Sequence, residues 1–571
     1  MFKIRDMESS DIMKKFFWTI ASAILMCSAN MLSAQPLEIS HLAGSNTIVH
    51  ISADRQAEYL MLPIEETARE TSVKVICNND LVRHLHIRLA INKVDYYVPM
   101  ILDEWKGREI KLLTHSSMDR STVRDAENEL CWSKMYLAES FDSSNKEKFR
   151  PEYHHTPAYG WMNDPNGMFW KDGEWHLYYQ YGPYGSMWNN LSWGHSVSRD
   201  LIHWEFRPDA IKPDALGFIF SGSCVVDEKN TAGFGAGAVI AIYTSAGEVQ
   251  AQSLAYSLDG GNTFIKYEGN PILTSGIVDF RDPNMFWNEE IGKWNLILAC
   301  GQEMRIYTSD NLIEWKEESR FGLGYGCHDG VWECPDLFKL PVEGSDEEKW
   351  VLFCNINPGG PAGGSATQYF IGDFDGYRFK VDDTARYLDG NALWQDYGKD
   401  HYAAVSFSGA PDGRHTMIAW MSNWDYANNV PTRQFRSANT IARDPFIYKV
   451  EGKYYLGSRP APEYDGAGLD KVLKVNGSCK VTLSNAEGEE FVIAYDQRGK
   501  TLSCDRSRSG LTDFSERFNE IATAPVHRKL TSLRIFVDKC SVEVFGNDGE
   551  VCLTSLVFPS SPLTSVSVTR Y

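Results

Sequence analysis

Gly160-Trp161-Met162-Asn163-Asp164-Pro165-Asn166-Gly167, followed by Met168-Phe169-Trp170 and then Trp175-His176-Leu177-Tyr178-Tyr179-Gln180-Tyr181, is the stretch from which the fold can be read. Asn, Asp, Pro and Gly together make tight turns for backbone reasons alone. Taken by itself, Asp164 is a turn residue walled by Trp161. Its meaning depends on whether the pattern recurs.

It does recur. Apolar, aromatic-rich runs like Trp175 to Tyr181 begin again at Val239, Trp294, Trp350 and Thr416, at intervals of 64, 55, 56 and 66 residues. Each has the length and β-branched or aromatic content of one buried strand. A second echo follows the strand: Ser196 to Trp204, Tyr256 to Phe264, Tyr307 to Trp315 and, more weakly, Ile371 to Gly376, each with an Asp-containing turn. A third precedes it and carries acids. Asp164-Pro165-Asn166 is matched by Asp282-Pro283-Asn284 and by Glu333-Cys334-Pro335-Asp336, and the corresponding places in the second and fifth copies are near Gly222 to Val226 and Asp400 to Val405.

Five units of about four strands predict a five-bladed β-propeller over residues 151–450. The first strand of each blade lines the central axis, so Asp164, Asp282 and Glu333 are expected at equivalent places around one mouth. Beyond Tyr448 the repeat is lost, and short strands with a hairpin signal at Asn547-Asp548-Gly549 predict a β-sandwich over 462–571. Asp538 and Glu543 are read there as residues of turns and solvated faces. Residues 37–139, with strand patterns at Thr47 to Ile51, Tyr59 to Ile64, Ser72 to Cys77, Leu85 to Ile91 and Tyr96 to Ile101, form a small accessory β domain with no acid or metal constellation. Ser140 to Arg150 reads as its linker. The whole is all-β.

Lys14-Lys15, the apolar run Phe16 to Met26 and the small-residue end Leu32-Ser33-Ala34 have the form of a secretory signal peptide, 1–34, with residues 1–12 an extension upstream of Met13. The protein is expected to be exported, to the periplasm or the extracellular space. Cys27 follows Met26 where a lipid-anchoring signal wants a small residue, and the apolar run is shorter than the ~20 residues of a spanning helix. A net charge of −20 argues against nucleic acid and anionic membrane surfaces as partners. The twelve Cys lack the close paired spacing of zinc sites and disulfide scaffolds and read as core residues.

Three carboxylates at one mouth suit glycosidic hydrolysis, which needs one acid ionised to attack and another protonated to release the leaving group. Asp164, held by its turn and Asn163, is the candidate nucleophile. Glu333 is the candidate acid and base, its pKa raised by Trp332 beside it. Asp282, whose ionised form the charge of Arg281 favours, is the candidate transition-state stabiliser. The same acids could instead be turn residues or bind calcium. The Trp residues placed around these turns, Trp188, Trp193, Trp332 and Trp424, favour a sugar.

These motifs resemble glycoside hydrolase family 32, the invertases, inulinases and levanases that act on β-linked fructose. The likeness rests on Trp161-Met162-Asn163-Asp164-Pro165-Asn166-Gly167, Phe220-Ser221-Gly222-Ser223, Phe280-Arg281-Asp282-Pro283 and Trp332-Glu333-Cys334-Pro335-Asp336, in family order, and covers Pro151 to Tyr571. It implies Asp164 as nucleophile, Asp282 as stabiliser and Glu333 as acid/base, with retention of configuration. It implies sugar contacts at Asn163, Gln180, Trp188, Phe220, Ser221, Arg281 and Trp424, with no cofactor or metal.

The stretches Phe220 to Asp227, Cys327 to Glu333 and Tyr397 to Ala404 are most similar to exported fructan β-fructosidases, and the domain before residue 140 is similar to that on levanases of gut-type Bacteroidetes. Arg433-Gln434-Phe435-Arg436 departs from the pattern, since such enzymes carry Trp before the Arg. The expectation is a monomer that releases terminal fructose from levan, inulin or sucrose. Endo-acting levanase and non-catalytic fructan binding are the alternatives.

Overall fold

A computed structural model describes residues 37–42, 46–53, 55–115, 129–144 and 147–570. The signal-peptide reading lies outside the described residues. The chain divides into two compact units, one ending at Asp142 and the other running from Ser143.

The first unit is two antiparallel sheets. One orders its strands Glu38–Leu42, Asn46–Ile51, Ile110–His115, Thr71–Cys77 and Asp80–Ile87; the other orders Tyr96–Ile101, Tyr59–Ile64 and Tyr136–Ala138. Period-two alternation sets which side is packed: Val73, Val75 and Cys77 are buried while Lys74 is exposed. Glu38–Leu42 is largely exposed and Tyr136–Ala138 has three residues, so neither carries a pattern that sequence could reveal.

The second unit holds five sheets of propeller type, each with a four-stranded core. Their inner strands are Gly160–Lys171, Phe218–Asp227, Phe280–Asn288, Val331–Pro341 and Tyr402–Ser406, for blades one to five. The apolar runs that repeat in the sequence are the second strands. Blade five reaches Pro460, because its outer strands Arg443–Val450 and Lys453–Pro460 come after a long excursion. From that excursion Phe435–Arg436 pairs in parallel with Gly160 and Trp161, adding a strand to blade one and closing the ring.

The apolar cores lie between blades. Phe169, Tyr178 and Trp193 of blade one meet Ile219, Val239 and Tyr243 of blade two, and comparable clusters fill the other junctions. The axis is thereby left to polar groups. Gly167 is required at the first junction: φ is +57°, and a Cβ there would lie 2.6 Å from the Trp193 ring.

The sandwich pairs a four-stranded sheet, Asp470–Lys474, Ser532–Asp538, Ser541–Gly546 and Val551–Leu556, with a five-stranded one. The hairpin signal at Asn547 does join two antiparallel strands. Asp538 and Glu543, however, are not solvated. Strand Ser541–Gly546 is buried on both faces, Val542 and Val544 toward the sandwich core and Phe545 toward the propeller cluster. A polar residue on its second face therefore meets protein.

His154 bridges the two acids, with Nδ1 2.8 Å from Asp538 Oδ2 and Nε2 2.8 Å from Glu543 Oε1. Arg443 binds the other Glu543 oxygen and donates to Asp396 Oδ2 at 2.8 Å, and Asp396 also accepts from the Thr554 hydroxyl at 2.7 Å. Burial opposes charge on His154, yet the hydrogen bonds and charges of Asp538 and Glu543 prevail and hold its pKa up, at about 9.

That shift has a pH signature. Below pH 6.5 the folded and unfolded chains both carry the proton, and the contribution is present in full. Between 6.5 and 9 only the folded chain keeps it, so stability falls as pH rises, by up to about 1.4 kcal/mol per unit. Chemical denaturation of His154→Gln should lack this alkaline fall relative to the parent. Parallel pH profiles would contradict the assignment.

Candidate active site

All five inner strands break register at the same point. Asn163 and Asp164 together face the single residue Gln180, and the same two-against-one arrangement sets Phe220 and Ser221 against Thr244, Asp282 and Pro283 against Leu298, Cys334 and Pro335 against Cys354, and Ala403 and Ala404 against Ala419. The presumed turn at Asp164 is thus a β-bulge inside a twelve-residue strand. Asp282, Cys334 and Ala403, first of their pairs, have φ of 64°, 41° and 55°. A bulge tolerates Pro and turns a side chain out of the pleat.

The shared register corrects the expectation of equivalent acids. Glu333 immediately precedes its bulge, Asp282 is the first bulge residue and Asp164 the second. The three carboxylates occupy successive steps of one motif on different blades, so they approach one another from different heights. Tyr402 takes the Glu333 position on blade five.

The acids form one contact cluster. Asp164 Oδ1 accepts from Asn163 Nδ2 at 3.0 Å, and Oδ2 accepts from the Ser221 hydroxyl at 2.8 Å. Asn163 is itself oriented by Trp161, whose indole N–H donates to Oδ1 at 2.7 Å. Cys334 Sγ lies 3.4 Å from Asp164 Oδ2 and 3.6 Å from Asp282 Oδ2, and its backbone N–H donates to the same Asp282 oxygen at 3.0 Å. Thr244, opposite the second bulge, accepts the Asp282 N–H at 3.0 Å. Arg281 donates to Glu333 Oε1 from Nη2 at 2.9 Å and to Asp279, while the Tyr402 hydroxyl donates to Glu333 Oε2.

Burial pushes Asp282 up to about 7 against the pull of Arg281, with Glu333 and Asp164 adding to the rise. Arg281 favours the ionised form of Asp282, as its sequence position implies, but burial outweighs it: its Nε is 3.9 Å from Asp282, while its shorter bonds go to Glu333 and Asp279. Burial also raises Glu333, opposed by Arg281 and assisted by the negative charge of Asp164. Trp332 plays no part in that. It points to the opposite side of the strand, buried against His328 and Phe370, and Tyr402 stands at the carboxyl instead. Trp193 is likewise a core residue between blades one and two.

The remaining predicted residues surround the cluster. Phe220 and Trp188 form an edge-to-face pair with centroids 6.3 Å apart, and Trp424 stacks on Trp161 at 5.8 Å; all but Trp161 are partly exposed. Gln180 is buried, and its Nε2 finds no protein acceptor.

A model described as "Glycosyl hydrolases family 32 N-terminal domain" matches residues 154–457, more than half of the chain. The chain belongs to this family. The family 32 C-terminal model covers residues 473–571, and a Domain of unknown function (DUF4980) covers 43–153. The levanase of Bacillus subtilis (strain 168) is 44% identical over 469 residues, 74% of this chain and 68% of the relative. The extracellular exo-inulinase of Meyerozyma guilliermondii (strain ATCC 6260) is 47% identical over 474 residues, 72% and 90% respectively. Among solved structures, exo-inulinase from Aspergillus awamori superposes with a TM-score of 0.69 at 35% identity, covering 74% of this chain and 96% of that one. The β-fructofuranosidase of Schwanniomyces occidentalis in complex with fructosyl-erythritol gives 0.67 at 32%, covering 75% and 96%. This chain is accordingly a glycoside hydrolase of family 32.

Sequence reasoning missed Tyr402 and the contact role of Cys334. Both lay in quoted stretches, Asp400 to Val405 and Glu333 to Asp336. What marks them is bulge register, which no residue type announces.

Proposed function

We propose that this family 32 hydrolase removes terminal β-linked fructose from levan, inulin and sucrose, through a covalent fructosyl-enzyme intermediate and with retention of configuration. The observation that carries the proposal is the contact of the Cys334 thiol with both aspartates while its neighbour Glu333 is held by Arg281 and Tyr402. One half-buried carboxylate, oriented by Asn163 and Ser221, attacks the anomeric carbon; one carboxyl with a raised pKa protonates the departing oxygen and then activates water. Asp282, fixed by the Cys334 N–H, faces the hydroxyls of the same ring and the positive charge that develops there. Trp188, Phe220, Trp424 and the unsatisfied Gln180 amide supply the apolar face and donor that a furanose ring needs.

One chain supplies every residue named, in keeping with a monomeric working unit. The leader-like N-terminus, and relatives named as extracellular, support export; among the described residues no helix is long and apolar enough to cross a membrane.

Product analysis on levan and inulin tests the reading. Fructose alone, first formed as the β anomer by NMR, is the expected result; an oligosaccharide ladder or initial α-fructose overturns it. Tyr402→Phe gives a second check. The lost hydrogen bond favours the ionised carboxyl, so its removal raises the Glu333 pKa further. The alkaline limb of kcat/KM should move up by about one pH unit, the size of one charge-assisted hydrogen bond. An unmoved limb would separate Tyr402 from the acid.

A further inference from the structure

The axis does not end at the acids. Beyond the bulges it narrows to a waist with room for about one water, lined by Asn166, Ser221, Asp282, Asn284 and Cys334. It then widens into a cavity of about 650 Å³, built from the C-terminal halves of the same five inner strands and the loops that follow them. This volume is typical of small-molecule sites. The cavity lies at the far end of the axis from the mouth where Trp188 and Trp424 stand.

Its lining selects among ligands. Partly exposed Trp170, Phe286, Trp287 and Trp350 come from blades one, three and four, and Phe286 and Trp350 have centroids 5.8 Å apart. The three cations in the wall already have partners: Lys171 binds Asp172 at 3.1 Å, Lys339 binds Glu290 and Glu348 at 3.0 and 2.9 Å, and Arg414 binds Asp444 and Glu463 at 3.0 and 2.6 Å. His415 is kept neutral by burial, which lowers its pKa to about 4. An anion finds no uncommitted positive charge here. What the wall offers is aromatic surface with interspersed polar groups, Ser223, Asn284, Asp336 and Ser406.

The same wall lacks the acid pair of a second glycosidase centre. Hydrolysis needs two working carboxyls, and Asp336 is the one buried acid in this lining, tied to the Ser406 N–H at 2.7 Å. Asp172 and Glu228 are exposed at the rim.

We propose that this second mouth is a non-catalytic saccharide-binding site that holds part of the fructan chain whose end is cleaved at the first mouth. The occupant rests on the proposed fructan activity: a wall with aromatic faces, polar groups between them and no free cation for an anion suits a hydroxyl-rich ring with one apolar face, and the polymer substrate is such a molecule. A short substrate cannot occupy both mouths, because the waist passes no sugar. Occupancy of the second mouth therefore matters for polymers and not for sucrose.

Trp287→Ala removes one aromatic face, and Ser408→Trp fills the cavity without removing any core side chain. Each is assayed on sucrose and on high-molecular-weight levan and inulin. Each is also combined with Asp164→Ala and run by affinity electrophoresis in gels containing either polymer. Retardation and polymer kcat/KM should both fall about 2- to 10-fold, the loss equivalent to one aromatic contact, with sucrose turnover unchanged. Unchanged retardation in Ser408→Trp overturns the site, as does an equal loss on sucrose, which would mean general damage. A parent that binds these polymers through the cavity but hydrolyses neither would instead overturn the proposed activity.

Discussion

Asp164→Ala is expected to lose about 10⁴-fold or more in kcat on sucrose and on fructan, while its unfolding midpoint stays within a few degrees of the parent's. The two halves of that expectation have one cause. Asp164 sits half-buried in a cluster with Asp282 and Glu333, and its negative charge raises the pKa of both. Removing it relieves repulsion among buried acids, and the donors it leaves, the Asn163 amide and the Ser221 hydroxyl, face an axis that water can enter. Catalysis has no such substitute, because no other second bulge position carries a carboxylate: its counterparts are Ser221, Pro283, Pro335 and Ala404.

The same variant separates a nucleophile from a residue that merely shapes the pocket. Azide can occupy the vacated volume and attack the anomeric carbon as the glycosidic bond breaks, with Glu333 giving its proton to the leaving oxygen. The product would be α-fructosyl azide, of inverted configuration. Residual turnover above about 1% of the parent's, or azide without effect on rate and product, would remove Asp164 from the role.

How far this site was legible in the sequence can be followed residue by residue. The buried second strands repeat at similar intervals, which carried the five-bladed architecture, and the echo that precedes them carried the convergence of three distant acids. The same method erred wherever a side chain's direction mattered. Trp332 adjoins Glu333 in sequence but points the other way, since neighbours on a strand face opposite sides. Arg281 adjoins Asp282 yet bonds Glu333, because the bulge that begins at Asp282 turns the aspartate toward Cys334. Asp538 and Glu543 alternate like solvated residues, and only the packing of sandwich on propeller makes that face an interior. Pattern reports periodicity; register shifts and domain contacts leave no mark on it.

That interior is where the largest stability effect is expected. Arg443→Leu should destabilise the second unit by about 3–5 kcal/mol, since it leaves Asp396 and one oxygen of Glu543 buried without their cation. For a unit of this size the unfolding midpoint should fall by roughly 3–6 °C. The loss should shrink as pH drops. In the parent, Arg443 holds both carboxyls below their usual range in spite of burial; without it, burial raises Asp396, and protonation then neutralises the unpaired charge in the folded state. Glu543 keeps His154 and responds less. Adding Asp396→Asn to Arg443→Leu should therefore recover part of the stability at pH 7 and little at pH 4. A loss below about 1 kcal/mol for Arg443→Leu, or one that does not change with pH, would mean that water reaches this junction and that the charges there are not buried in any energetic sense.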